Sequence, residues 1–511
     1  MQKGNRCQYF ALENSSIKVQ NIDKCRFLEP EAAVEFIGRD FELSQLHKAL
    51  SQKKSCLVVC YGRRRIGKSA LIREVGKKLP HKHYLEIQGL APNAGISNAD
   101  QLRHFMSEFS TQMGHPRLPV SDWRQAFQLL SHSIGQQRCL VFLDEISWMG
   151  ALDPTFTAIL KIAWDTEFKK NPHLVLVLCG SVSSWIQDNL LQAKDFMGRI
   201  SLELPLQELS ISECNEFWGN KKESVSAKEK LRMLAVTGGV PRYLEEINPK
   251  ESADRNIRDL CFIRSGVLFS EFEKIFNDIF QKRAPTYEEI VSTLASGAHT
   301  LSEICKKLGS SPGGKISLYL KLLVAANFLS STEEWDLKSP EKRSKQISYR
   351  ISDNYLRFYL KYIRPNKEKI KKNIFKMQSF TDLKGHEAIV GLQFENLIHN
   401  NMESVFKLLE IKGMDVLRFG PYLQRATKRK KSCQIDLLIQ GKYDLYLCEI
   451  KSSSRLGTKV ISEMETKLQI LHIPRGVSIR KVLIHCSELE EKLLEQDYFD
   501  KIISFDDLLS L

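Results

Sequence analysis

No run of about 18 apolar residues occurs in this 511-residue chain, so no membrane-spanning helix is expected. The first residues, MQKGNRCQYFALENSS, lack the apolar stretch of an export signal, and a cytoplasmic location is expected. Cys56 and Cys60 are not at C-x-x-C spacing, so neither a zinc site nor a thioredoxin-like motif is supported. The 12 cysteines are scattered, and Cys139, Cys179 and Cys448 stand in apolar runs as small hydrophobes. That usage fits a reducing compartment. Charge is unbalanced: the net value of +14 suits a polyanionic partner, and suits a solvated basic surface equally well. With 42% hydrophobic and 27% charged residues the chain is an ordinary globular one. Its length exceeds what one core fills, so three or four domains are expected.

What is present centres on CLVVCYGRRRIGKSALIREV, Cys56 to Val75. Leu57, Val58 and Val59 read as a buried parallel strand. Gly62-Arg63-Arg64-Arg65-Ile66-Gly67-Lys68-Ser69 matches the phosphate-binding loop G-x-x-x-x-G-K-[ST] at every fixed position. Glycines let backbone N–H groups close on phosphate oxygens, and the following helix presents its N-terminus to the same anion. The backbone from Gly62 to Ala70 would cradle ATP phosphates. Lys68 would reach the β- and γ-phosphates and Ser69 would hold Mg²⁺.

A second apolar strand, from Arg138, ends in Asp144-Glu145. Asp144 would order the Mg²⁺ shell and Glu145 would polarise the attacking water. A third, Leu174 to Cys179, ends in Gly180-Ser181. Ligands in open α/β sheets sit at such carboxyl ends, so Ser181 would face the γ-phosphate or the water, or would simply cap the next helix. Arg199 falls on an expected loop, where it would stabilise transition-state charge in its own or a neighbouring subunit, or stand as a surface arginine. From Leu206 the pattern turns helical, and Thr237-Gly238-Gly239-Val240-Pro241 breaks it.

The ordered strings FIGRDFELSQL, GRRRIGKS, LVFLDEI, VLCGS, GR and TGGVPRYL resemble the archaeal-type ATPases, a P-loop group similar to AAA+ and STAND ATPases. The resemblance runs from about Val34 to Asn248. It implies an ASCE-type core with a helical lid. It also implies that Gly239 and Pro241 lie against the adenine, and that Ile37 and Arg39 lie near the nucleotide edge.

Ala284 to Arg350 reads as helix, helix, turn, helix and strand, a winged-helix order. Lys306, Lys307, Lys315 and Lys321 could face DNA phosphates there. A Lys-rich stretch from Asn366 to Lys376 follows as a connector or a nucleic-acid patch. In the C-terminal third, Gln434-Ile435-Asp436 opens one strand and Glu449-Ile450-Lys451 closes the next. A hairpin would bring Asp436 and Glu449 together, with Lys451 on the Glu449 face. Two carboxylates for Mg²⁺ and a lysine suit phosphodiester cleavage.

In this context the region resembles the PD-(D/E)xK restriction-endonuclease-like fold, without the proline of that name. The resemblance implies that Glu395, in Phe394-Glu395-Asn396, is a further acid of the metal site. Basic residues from Arg425 to Lys431 could contact backbone phosphates.

The expected architecture is α/β. A short N-terminal extension (1–30) precedes a P-loop core (31–205), a helical lid (206–280) and a winged-helix domain (281–352). A basic helical connector (353–380) leads to a restriction-endonuclease-like domain (381–511). The expected activity is ATP hydrolysis coupled to Mg²⁺-dependent DNA processing. The rival is a STAND-like switch whose C-terminal domain is a DNA- or protein-binding scaffold. A homo-oligomeric remodelling ring, with Arg199 acting across subunits, is a third arrangement.

Overall fold

Strand order, not strand number, decides where the phosphate loop sits. The computed structural model describes residues 36–511 except 81–82, 92–94, 182–183, 281–282, 312, 343, 345 and 427–430. The extension expected over 1–30 lies outside the described residues. Strands β1 (Cys56–Gly62), β2 (Tyr84–Gln88), β3 (Cys139–Asp144), β4 (Leu174–Ser181) and β5 (Leu202–Leu206) form one sheet in the order β2-β3-β4-β1-β5. All its pairings are parallel. Every residue of β3 and β4 is buried, which explains their unbroken apolar runs. Phe105 and Phe156 pack edge-on against Trp123 and Phe127, which stack on each other, in the core that the sheet shares. The carboxyl ends of β3, β4 and β1 thus lie side by side.

A run of helices follows, from Ile211–Asn215 through Glu271–Phe280. Next comes a small unit: helices Ala284–Thr293, Leu301–Lys307 and Gly314–Ala325, with strands β6 (His299–Thr300), β7 (Leu329–Glu333) and β8 (Ile347–Ile351) in the antiparallel order β6-β8-β7.

The last sheet joins β9 (Val416–Gln424), β10 (Cys433–Gly441), β11 (Asp444–Lys451), β13 (Ser478–His485) and β15 (Lys501–Ser504) in the order β15-β13-β11-β10-β9. The short strands β12 (Arg455–Leu456) and β14 (Glu488–Leu489) pair beside it. Helix His386–Asn400 precedes it and helix Lys459–Ile470 crosses between β11 and β13. The β9–β11 pairings are antiparallel and the outer two parallel. The β9–β10 register slips between Ile435 and Leu438, so Asp436 and Leu437 oppose Pro421 alone. Proline cannot donate to the ladder, which places a bulge at the one acid of this strand.

The segment 353–380 departs from the expected connector. Its first part, Asn354–Phe358 continuing as a π-helix over Tyr359–Ile363, is almost entirely buried. Tyr355, Phe358, Tyr359 and Tyr362 fill one core with residues of the helical run 211–280, the β6–β8 unit and helix His386–Asn400. The aromatic run in the sequence therefore marks a hub. Apart from Lys361, the exposed lysines of this segment lie on helix Arg364–Lys371 and the turn after it. That single core runs from Leu209 to Leu509, so the regions divided at 280, 352 and 380 share their packing.

Candidate functional site

The phosphate loop leaves β1 and enters helix Lys68–Lys77. Gly67 has φ +89°, a conformation that glycine adopts without strain. Lys68 is buried, and its Nζ donates to the carbonyls of Gly62 (3.3 Å) and Arg63 (3.0 Å) and to Ser181 Oγ (3.5 Å). The loop's own carbonyls thus hold the ammonium where incoming phosphate oxygens would replace them. Ser69 Oγ donates to Asp144 Oδ2 at 2.6 Å. Two hard oxygen ligands therefore stand together beside the ammonium, a donor set that suits Mg²⁺. Asp144 Oδ1 accepts from the Glu145 N–H at 3.0 Å. Glu145 has φ +50°, which re-aims its side chain relative to the strand. A strained acid directly after a buried strand is a frequent feature of functional sites.

Two of the loop's arginine side chains, Arg63 and Arg65, are engaged by acids from later in the chain. Arg63 is fully buried and ion-paired with Asp353 and, at 3.3 Å, with Glu208. Its guanidinium stacks 5.9 Å from the Tyr243 ring centre and 5.5 Å from that of Phe328. Burial opposes its charge, but Asp353, Tyr243 and Glu208 outweigh burial and raise its pKa. Glu208 is pushed up to about 7 by burial, against the pull of Arg63. Arg65 Nε donates to Glu271 Oε1 at 2.7 Å. Arg39 Nη2 donates to the carbonyls of Ile66 (3.1 Å) and Gln207 (2.6 Å). The loop is therefore clamped to the helical region by charge.

Gly239 donates its N–H to Glu208 at 3.1 Å and accepts from Leu209 N at 2.8 Å. A Cβ there would lie 2.4 Å from the Leu209 carbonyl oxygen, so only glycine fits. Pro241 Cγ would lie 3.7 Å from a Cβ at Gly67, against the phosphate loop. Pro241 thus lies against the phosphate loop, and Gly239 is tied to Glu208, the partner of Arg63. Arg199 has other company: its Nε and Nη2 engage Asp165 at 2.9 Å and its Nη1 the Asp195 carbonyl at 2.9 Å. As placed, it closes a surface loop.

The C-terminal acids come together differently from the metal trio expected of Glu395, Asp436 and Glu449. Among the described residues no three His, Cys, Asp or Glu side chains are grouped to hold a metal ion. The cause is cation pairing. Glu449, 1% exposed, accepts from Lys467 (2.7 and 2.9 Å) and pairs with Lys451 at 2.8 Å. Glu395 faces Arg350 at 3.7 Å. Asp436 Oδ2 accepts from the Ile450 N–H at 3.1 Å. Burial and then Glu449 raise the Asp436 pKa. Burial and then Asp436 push Glu395 up to about 7. Lys451 rises because Glu449 outweighs burial.

Lys467 was missed from sequence; its i,i+4 spacing from Glu463, which itself pairs with Lys451, was the available signal. Glu208, Glu271 and Asp353 were missed as well, because no local pattern links them to residues 63–65. Of the basic stretch at 425–431, residues 427–430 lie outside the described residues; Arg425 pairs with Glu334 at 2.6 Å.

Residues 36–247 match an ATPase domain predominantly from Archaea. Those residues, about two fifths of the chain, contain the whole five-stranded parallel sheet and the phosphate loop. The chain is 26% identical over 390 residues to an uncharacterized protein of Methanocaldococcus jannaschii, covering 75% of this chain and 80% of that one. A Walker-type ATPase of Pyrococcus abyssi aligns in structure at TM-score 0.46 and 19% identity, over 64% of this chain and 96% of its own. The ORC2 protein of Aeropyrum pernix, solved with ADPNP and ADP, aligns at TM-score 0.39 and 14% identity, over 69% and 97%. No helix among the described residues is long and apolar enough to cross a membrane.

Proposed function

We propose that this chain is an ATP-driven switch whose nucleotide state controls a C-terminal, Mg²⁺-dependent DNA-cleaving centre. In the ATPase site Lys68 binds the β- and γ-phosphates, and the backbone from Gly62 to Ala70 cradles them. Ser69 and Asp144 would hold Mg²⁺, which supplies charge neutralisation between the phosphates when bound. Glu145 orients the lytic water, with Ser181 at its side. Gly239 and Pro241 close over the base.

One observation carries the coupling. A continuous polar chain runs from the phosphate loop to the C-terminal acids. Arg63 pairs with Asp353, whose Oδ1 caps the next helix through Leu356 N at 2.7 Å. Asn354 donates to the Gln393 carbonyl (3.3 Å), and its own carbonyl accepts from Gln393 Nε2 (2.6 Å). Asn396 donates to Asn354 Oδ1 (3.1 Å) and accepts from Arg350 (2.6 Å). Arg350 faces Glu395. Apart from the peptide bond between Asp353 and Asn354, every link is at hydrogen-bond or ion-pair distance, and most are buried. A nucleotide that shifts the loop backbone shifts this chain.

In the C-terminal centre Asp436 and Glu449 would hold Mg²⁺, since burial and Glu449 raise the affinity of Asp436 for positive charge; Lys451 and Lys467 orient the scissile phosphate. The three helices and small sheet of 284–351 are read as a winged helix. The exposed Lys306, Lys315 and Lys321, with helix Arg364–Lys371, are the surfaces offered to the DNA backbone.

The test is cleavage of supercoiled, linear and single-stranded DNA with Mg²⁺ or Mn²⁺, with and without ATP, beside Asp436→Ala. Cleavage lost in the variant supports the reading. Intact ATP turnover with no cleavage under any condition favours a scaffold in place of the nuclease.

A further inference from the structure

Between the β6–β8 unit and the C-terminal sheet lies a cavity of about 570 Å³, in the size range of small-ligand sites. Its charged lining is Arg350 and Arg357 with Glu395 and Asp436, the pair Arg425–Glu334, and Glu303. Arg357 is the unusual member. It is 2% exposed and makes no ion-pair contact among the described residues, although Glu395 is near enough to favour its charge. Two of its nitrogens donate to the carbonyls of Ile351 (2.7 Å) and Ala295 (3.4 Å). Its Nε is buried without any partner. Burial, and then the neighbouring Arg350, weaken its hold on its proton and bring its pKa down to about 10. Glu395 offsets this only in part, and a buried guanidinium N–H without an acceptor is costly; an anion entering the cavity relieves that cost.

We infer that this cavity is a phosphate-binding site, in which Arg350 and Arg357 seat a phosphate of a DNA strand beside Asp436. The inference takes the identity of the strand from the nuclease reading. The chemistry argues for phosphate in its own right. Guanidinium forks match tetrahedral oxyanions with paired N–H donors, and the two arginines converge from β8 and the helix after it. Neither belongs to the last sheet or its flanking helices, so the site is assembled only where the two regions meet. The phosphate would come from within a strand, as a diester, or from a strand end, as a monoester.

Binding is measured with the full chain in EDTA, so that no cleavage enters, by calorimetric titration of three probes. These are a 5′-hydroxyl thymidine tetranucleotide, thymidine 5′-monophosphate and a tetraglutamate peptide. Binding of the tetranucleotide alone identifies a diester site, and tighter binding of the monophosphate an end site. Ser348→Glu places a carboxylate in the cavity wall while leaving both arginines in place. Its affinity for the bound probe should fall by at least about tenfold, with an unchanged melting temperature. Arg357→Gln should produce the same loss.

Binding that neither variant weakens, binding of the peptide alone, or no binding of either nucleotide probe overturns the inference. The nuclease reading fails separately. Probe binding lost in Ser348→Glu, with no DNA cleavage under Mg²⁺, keeps the phosphate site and removes the nuclease. Cleavage with cavity-independent binding does the reverse.

Discussion

Lys68 shows how much a single residue carries. Its Nζ rests on loop carbonyls and on Ser181, and Lys68→Ala removes the only buried ammonium of the phosphate loop. ATP turnover should fall to background, measured as phosphate release, while the melting temperature stays close to wild type. Arg63 shows the opposite balance. It touches no expected phosphate position, but Arg63→Ala leaves Asp353 and Glu208 buried without their cation. Urea unfolding should show a loss of about 3–5 kcal/mol. The P-loop was legible because glycine, lysine and serine at fixed spacing are local chemistry. The Arg63–Asp353 pair was not, because 290 residues separate its partners and a consensus position marked x says nothing of its side chain.

Glu395 adds a pH dependence. Its folded value of about 7 lies above the ordinary 4.5. Between those values the folded chain holds a proton that the unfolded chain has released. Stability is therefore greatest below 4.5 for this group, and is lost as pH rises through 7, by up to about 3 kcal/mol. Glu208 acts with the same sign. Denaturation midpoints from pH 5 to 8 should fall more gently in Glu395→Gln than in wild type.

Among the elements, helix Asn354–Phe358 with its π-helical continuation was the hardest to place from sequence. The aromatic residues at 355, 358, 359 and 362 announce a buried face, but the adjoining lysines suggested a connector. Burial of polar side chains decides the matter. Asn354 donates to Leu234 O at 2.9 Å and to Gln393 O, and accepts from Asn396. Asn354→Ala strands those groups, and should lower stability by about 2–3 kcal/mol in urea titrations. The strands told more of themselves. β3 and β4 read as continuous apolar runs because both faces are covered. β10 and β11 read as a hairpin around Gly441. The bulge opposite Pro421 went unread, since register depends on the partner strand and not on either sequence alone.

At the scale of the molecule, the core that starts at Leu209 reaches the last helix, Phe505–Leu509. Helix His386–Asn400 packs on Ala227–Thr237 as well as on the hub. A fragment of residues 381–511 would expose Ile389, Leu397 and Ile398 on that side, and should lack a cooperative melt by circular dichroism. Domain divisions drawn from motif order miss this, because motifs mark chemistry while shared cores follow packing. The same continuity underlies the central claim, that nucleotide state reaches the C-terminal acids through Arg63 and Asp353.

The most direct test is the ratio of DNA-cleavage rates with and without ATP, in wild type and in Asp353→Asn. Asparagine can still cap the helix at Leu356 but presents no charge to Arg63. The account predicts an ATP-dependent rate in wild type, and a variant that still hydrolyses ATP and still cleaves DNA but whose cleavage no longer responds to nucleotide. An unchanged ratio in Asp353→Asn, or cleavage indifferent to ATP in wild type, would contradict it.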